Sequence, residues 1–335
     1  MNPVAVLTAP MPEYLFGADL QEILAQSLAR IRAELRLRSP LSAAVTEAWI
    51  LRHNAPDPPE ISFRRLKSHF LLIPWFLEQS IRGTADAEFQ RGLVYSSLNA
   101  YYFARLLDNV ADGQSPEDAA LLPMAAFFHY NFQAVYSGWF PRDSSFWNFF
   151  DELWIGMADA TVSGSRSAGF SDCDLELATA RKIAAVKIPV AAVCFHYGRE
   201  DLISGWFSFY DAFCCAHELL DDFCDCFADM AAGRASYLLS RASREKPTGE
   251  TIESYMIRAG LEWGYAAIAE WLAEALRRAE LLGSNPLVSF VRNWQERVKG
   301  FWEAWLPDLK QLRRLAEALE SSSGSLGRDV TYVSG

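Results

Sequence analysis

His217-Glu218-Leu219-Leu220-Asp221-Asp222-Phe223-Cys224-Asp225-Cys226-Phe227-Ala228-Asp229 reads as one helix with an acidic stripe. At about 100° per residue, Asp221, Asp225 and Asp229 advance by only about 40° at each step. Glu218 and Asp222 fall within the same arc of about 100°, while Leu219, Leu220, Phe223 and Phe227 take other directions. Spacing of this kind excludes a strand, whose side chains alternate with a period of two.

The same helical period runs outward in both directions. It predicts helices over about 18–38, 41–53, 63–82, 85–112, 116–138, 144–163, 173–198, 200–231, 249–282 and 286–319. Breakers separate them, among them Ala55-Pro56-Asp57-Pro58-Pro59, Gly113-Gln114-Ser115-Pro116 and Gly283-Ser284-Asn285-Pro286. Pro189 is expected to kink a helix just after Lys187. The fold class is therefore all-α, a single helical domain spanning 16–320. Loose ends are expected at 1–15 and at 321–335, which is rich in Ser and Gly.

Hydrophobic residues make up 51% of the 335 residues, enough for a substantial core. Aromatic content is high, with 22 Phe, 12 Tyr and 11 Trp, and serves either the core or an aromatic-lined hollow. A net charge of -11 argues against nucleic-acid partners and anionic membranes. The first basic residue is Arg30, so the start lacks a secretory n-region. No uncharged apolar stretch of about 18 residues occurs. Four of the six cysteines, Cys214, Cys215, Cys224 and Cys226, crowd onto one helix in a way that suits reduced thiols. A cytoplasmic protein without stable membrane insertion is expected.

Like charges at i,i+4 destabilise an isolated helix by a few tenths of a kcal/mol per pair. No Lys or Arg lies between Glu200 and Arg234 to offset them. A stripe of this kind is either a solvated face or a cation site, and the apolar sequence around Trp206-Phe207-Ser208-Phe209-Tyr210 favours the second. A second cluster, Asp108-Asn109-Val110-Ala111-Asp112, places Asp108 and Asp112 on one face at a helix end marked by Gly113. Alone it reads equally well as a solvated last turn; paired with the later stripe it points to an opposed metal site. Magnesium takes oxygen ligands, only one or two of them carboxylates, together with substrate phosphate oxygens. Two facing acidic helices can thus hold several ions around one diphosphate and neutralise the charge of a departing leaving group.

With both clusters in view, the chain resembles the class I isoprenoid synthase superfamily. Asp221-Asp222-Phe223-Cys224-Asp225-Cys226-Phe227-Ala228-Asp229 looks like the second aspartate-rich motif, DDxxDxxxD, and its i,i+4,i+8 spacing also matches the second metal motif of terpene cyclases. Asp108-Asn109-Val110-Ala111-Asp112 looks like the first motif, DDxxD, with its second position changed to Asn. The resemblance implies a helical bundle around a central cavity and three Mg²⁺ ions held by Asp108, Asn109, Asp112, Asp221, Asp222, Asp225 and Asp229. It gives Asp108, Asp112, Asp221 and Asp225 the catalytic role and makes a prenyl diphosphate the substrate; a homodimer is common in the family.

Lys187 lies where prenyl synthases carry a diphosphate-binding Lys-Thr pair, although Ile188 follows it here. A lysine laid along apolar surface at the Pro189 kink is the alternative. Arg234, in Gly233-Arg234, stands where those enzymes have Gly-Lys and is the second diphosphate contact. Arg328 and Tyr332 resemble the Arg-Tyr pair with which cyclases close the site. Phe63-Arg64-Arg65-Leu66-Lys67 lacks the Gly and spacing of the isopentenyl diphosphate motif and reads as a solvated basic patch. On that departure and the aromatic load, a terpene cyclase is the preferred expectation. A prenyltransferase, or a helical binding protein without activity, is the alternative. A zinc site from Cys214, Cys215, His217, Cys224 and Cys226 is disfavoured, because a Cys-x-Cys pair on one helix points its thiols apart. A di-iron bundle fails because no Glu-x-x-His pair is present.

Overall fold

Local chemistry fixes where each helix begins and ends. The Asp86 carboxylate accepts from the backbone N–H groups of Glu88 (2.9 Å) and Phe89 (3.2 Å) and so caps the helix carrying the first acidic cluster. Gly83 and Gly233 close their helices in the left-handed conformation, at φ 81° and 67°. A computed structural model describes residues 3–111, 116–166 and 175–326.

The helices in its first half are α1 (Pro3–Leu7), α2 (Ala18–Arg38), α3 (Ala43–Asn54), α4 (Pro59–Phe63), α5 (His69–Arg82), α6 (Ala87–Ala111), α7 (Pro116–Leu121), α8 (Ala125–Trp139) and α9 (Phe146–Arg166). The second half adds α10 (Leu175–Lys182), α11 (Ile188–His196), α12 (Ile203–Ala232), α13 (Tyr237–Glu245), α14 (Ile252–Tyr255), α15 (Leu261–Leu281) and α16 (Asn285–Leu326). No strand occurs among the described residues, so the all-α class holds. Among them, too, no helix is long and apolar enough to cross a membrane.

α12 is the spine. It packs most extensively along α15, which in turn packs on α16, while α6 lies against α8 and α2. The inner face of α12 buries Trp206, Phe209, Tyr210, Phe213, Leu219, Leu220 and Phe223. Each such side chain contributes roughly 1.5–3 kcal/mol of burial. At one end of the bundle, buried Glu78 accepts from the Asp86 backbone (2.9 Å), from Gln90 (2.7 Å) and from the Tyr197 hydroxyl, tying α5, α6 and α11 together.

Several expectations change. The segment expected as one helix over 173–198 is two, because Ile183 and a 3-10 turn at Ala184–Lys187 interrupt it. Pro189 therefore sits in the first turn of α11, where its missing N–H costs nothing, rather than at a kink inside a helix. α13 was not expected; Ser236 caps it by accepting from the Leu239 N–H (3.3 Å). Described residues 3–15 of the expected loose amino terminus are held down. Leu7, Met11 and Leu15 are buried, and the Arg297 guanidinium donates to the carbonyls of Leu7, Ala9 and Pro10 at 3.3, 2.6 and 2.8 Å. Residues 321–326 continue α16, and 327–335 lie outside the described residues.

Candidate functional site

Both acidic clusters stand at carboxyl ends of helices. Asp108 occupies the last turn of α6, and Asp221, Asp222, Asp225 and Asp229 occupy the last three turns of α12. Negative charge there opposes the helix dipole, at a cost of about 0.3–1 kcal/mol for each group in a terminal turn. Mutual repulsion adds to it. Their positions work against both helices, and local contacts offset only part of that cost.

Burial deepens the cost. Asp222 is half-buried and its pKa is pushed up to about 7, chiefly by desolvation; Glu218 and Asp221 push the same way, against the Leu238 N–H and Lys182. That N–H donates to the Asp222 Oδ2 at 3.1 Å and joins α12 to α13. Asp225 is raised by burial and by Asp221 and Asp229, while Arg234 and Arg105 oppose. Asp229 is paired with Arg234 at 2.8 Å.

Lys182, at the end of α10, reports where the two clusters lie relative to each other. Its ammonium contacts Glu218 at 2.6 Å. Burial works against its charge, but Glu218, Asp222 and Asp108 outweigh that and hold its pKa above the ordinary lysine range. One ammonium thus feels carboxylates from both α12 and α6. Arg105, one turn before Asp108, acts in the same way on Asp225 across the gap. The side chain of Lys182 keeps 58% of its surface open to water although protein surrounds its charged end.

A basic wall flanks Asp108. Arg105 pairs with Asp108 at 3.1 Å and donates through Nε to His53 Nε2 at 3.0 Å. Burial first, then the charges of Arg105 and Lys67, lower the His53 pKa to about 4, so the ring is neutral and Nε2 is free to accept. Lys67 donates to Ser62 Oγ (3.2 Å) and Asn54 Oδ1 (3.4 Å) and lies over the Tyr101 ring. Burial and Arg105 lower its pKa to about 8. Among the described residues it has no carboxylate partner. The patch expected to be solvated is, at Lys67, a partly desolvated charge.

Other expected site residues face elsewhere. Asn109 is 3% exposed, and its amide donates to Asp118 at 2.8 Å, itself held by Arg52 at 3.1 Å. Asn109 therefore fastens α6 to α7. Lys187 is buried, with its ammonium on Asp211 and beneath the Phe207 ring. Asp112, Arg328 and Tyr332 lie outside the described residues. Among the described residues, no three His, Cys, Asp or Glu side chains converge closely enough to form a metal cage. The thiols of Cys214 and Cys226 are buried, and burial raises their pKa, to about 12 for Cys226, so they are protonated and poor zinc ligands.

The expected deep hollow is nearly filled. Behind His217 and Leu220, a cavity of ≈ 10 Å³ is lined by Phe213, Ile268, Leu272 and Trp294. That is room for one water at most, because the rings of Phe213, His217 and Trp294 pack into it. A larger groove of ≈ 450 Å³ lies between α2, α6 and α8, lined by Arg30, Arg91, Tyr95 and Trp139. Tyr95 precedes Asp108 by 13 residues on α6, or roughly 20 Å along the axis, so this groove lies away from the acidic clusters. No protein-family profile, curated protein or solved structure matches the chain.

Proposed function

We propose that the chain is a Mg²⁺-dependent class I terpene synthase: it ionises a linear prenyl diphosphate, releases pyrophosphate and quenches the resulting carbocation to a terpene. The observation that supports this reading most is the stripe on α12, where Asp221, Asp222 and Asp225 share one face and Lys182 of α10 already pairs with Glu218 beside them at 2.6 Å. Carboxylates stacked at i,i+4 on one helix face are suited to holding cations.

The donors fit magnesium. All are carboxylate oxygens, the hard ligands this ion selects, and a cation, the Lys182 ammonium, already pairs with Glu218 on the same helix as three of them. Asp108, Asp221, Asp222 and Asp225 would hold the ions, with Asp112 as the further ligand that the first motif implies. Bound there, magnesium supplies charge neutralisation for the diphosphate as the carbon–oxygen bond breaks and its electron pair departs with the leaving group. The aromatic side chains of α12 and α16, Phe213 and Trp294 among them, would exclude water from the cation and face it with π density. Opening the ≈ 10 Å³ cavity to admit a prenyl chain requires these rings to change rotamer.

One observation favours a second reading, transfer to a second phosphorylated substrate. Lys67 carries a partly desolvated charge beside Arg105, which is the electrostatics of an anion site rather than of a solvated patch.

Incubation with Mg²⁺ and geranyl, farnesyl or geranylgeranyl diphosphate, followed by pyrophosphate measurement, tests the first reading. Release that stops with EDTA and in Asp221→Ala and Asp225→Ala is expected, with both variants folded because the two side chains are exposed. No release with any chain length, or full activity in both variants, would reject it. A longer product formed only with isopentenyl diphosphate, and lost in Lys67→Gln, would favour transfer over cyclisation.

A further inference from the structure

We propose that the groove between α2, α6 and α8 is a binding site for a small carboxylate with a flat apolar body, an aryl carboxylate. The site needs no metal and does not depend on the reading above.

Two arginines are prepared for it, on neighbouring rungs of one helix pair. Arg91 of α6 donates through Nε to Gln26 Oε1 of α2 at 3.0 Å. One turn on, the Arg30 guanidinium lies 3.9 Å from the centre of the Tyr95 ring and donates through Nε to Glu34 Oε1 at 2.8 Å. The Tyr95 hydroxyl donates to the other oxygen of the same carboxylate at 2.6 Å. Each guanidinium is thus anchored through its Nε, and among the described residues the terminal nitrogens of both have no hydrogen-bond partner. The rungs are four residues apart on each helix, or about 6 Å along the axis. Both arginines line the groove. Guanidinium forks held in this way match the two oxygens of a carboxylate.

A third donor stands in the wall. Asn131 lines the groove and is 3% exposed. Arg38 donates to its Oδ1 at 3.0 Å, and because arginine cannot accept, the amide faces one way only. Its Nδ2 is left buried and without a partner. A buried donor of this kind calls for an acceptor, which a ligand carboxylate supplies.

The rest of the groove is apolar and roomy. Its volume of ≈ 450 Å³ is within the range of small-molecule sites. Trp139 forms one side, and Gly92 has to be glycine, because a Cβ there would collide with the indole ring. A Cβ on Gly138, by contrast, would meet nothing within 4 Å, so an aromatic ring has space beside Trp139. Charge selects a monoanion. Arg30 is offset by Glu34, Arg91 has no carboxylate partner among the described residues, and exposed Glu88 on the same groove disfavours a dianion such as a phosphate monoester.

Saturation-transfer NMR titrations of naphthoate against the full-length chain in EDTA test the site, with naphthylmethanol and naphthyl phosphate as uncharged and dianionic probes. Wild type, Arg91→Met, Gly138→Leu and Glu88→Gln are compared, and circular-dichroism melts check that each is folded. Wild type is expected to bind naphthoate about tenfold more tightly than naphthylmethanol. Arg91→Met and Gly138→Leu should each weaken naphthoate about tenfold, and Glu88→Gln should tighten it about twofold. Undiminished binding in both Arg91→Met and Gly138→Leu would put naphthoate elsewhere and overturn the proposal. Equal binding of naphthylmethanol, tighter binding of naphthyl phosphate, or no binding of naphthoate at millimolar concentration would overturn it as well. Pyrophosphate release is read separately, so either reading can fail while the other stands.

Discussion

Replacing Asp222 with Asn separates what this residue costs the fold from what it contributes to a site. The half-buried carboxylate titrates at about 7, against an ordinary value of 3.8, chiefly because of desolvation. The native state therefore binds a proton that the unfolded chain releases between those two values. Stability associated with this group is fully present below about pH 4 and is lost as pH rises through 7. A shift of about three units corresponds to roughly 4 kcal/mol, and water entry with local relaxation reduces this to about 2 kcal/mol. Asn keeps an oxygen to accept the Leu238 N–H and removes the charge. At pH 8.5, Asp222→Asn is thus expected to stabilise the metal-free chain by about 2–4 kcal/mol, raising Tm by about 3–6 °C for a domain this large. Near pH 4 the two proteins should converge. Circular-dichroism melts of both proteins from pH 4 to 8.5 in EDTA measure the difference. A gap that does not widen with pH, or a variant less stable than wild type at pH 8.5, would refute the reasoning.

Other substitutions probe the flanking contacts. Asn109→Asp restores the usual letter of the first motif but sets a second carboxylate 2.8 Å from the buried Asp118; urea unfolding should show a loss of about 2–4 kcal/mol, and a neutral result would mean that Asn109 does not face α7. Lys187→Ala strands Asp211, and breaking that buried pair should cost about 3–5 kcal/mol. Joint replacement by Met at 187 and Leu at 211 should recover most of it, whereas a loss under about 1 kcal/mol in the single variant would favour a ligand-facing Lys187. Arg297→Met removes three bonds to carbonyls of residues 7–10 and should speed limited proteolysis there. An unchanged cleavage rate would show that burial of Leu7 and Met11 suffices.

Much of the architecture is legible in the sequence, because helical periodicity and Gly/Pro breakers act locally. The spacing of Asp221, Asp225 and Asp229 places them on one face of α12 wherever that helix packs. Asp108 near the end of α6 follows from Gly113. What the sequence hides are contacts between distant elements. Nothing in Arg181-Lys182-Ile183 announces that Lys182 meets Glu218 across 36 residues, or that Lys67 lies partly desolvated beside Arg105. Asn109 looked like a weakened ligand because motif spacing says nothing of Asp118, which waits on the following helix. The break at 183–187 escaped for a related reason: Pro189 marks a helix boundary but does not say whether it ends one helix or begins the next. Aromatic content, finally, could not tell a filled core from an open hollow, and in the structure Phe213, His217 and Trp294 fill the space behind the stripe.

Crystals of the chain grown with Mn²⁺ and pyrophosphate, with data collected at the manganese absorption edge, test whether the two acidic clusters share an ion. Anomalous peaks bridging Asp108 to Asp221, Asp222 or Asp225, with pyrophosphate oxygens completing the coordination, are the predicted result. Peaks confined to one helix, or carboxylates of α6 and α12 left without a shared ion when pyrophosphate is bound, would contradict it.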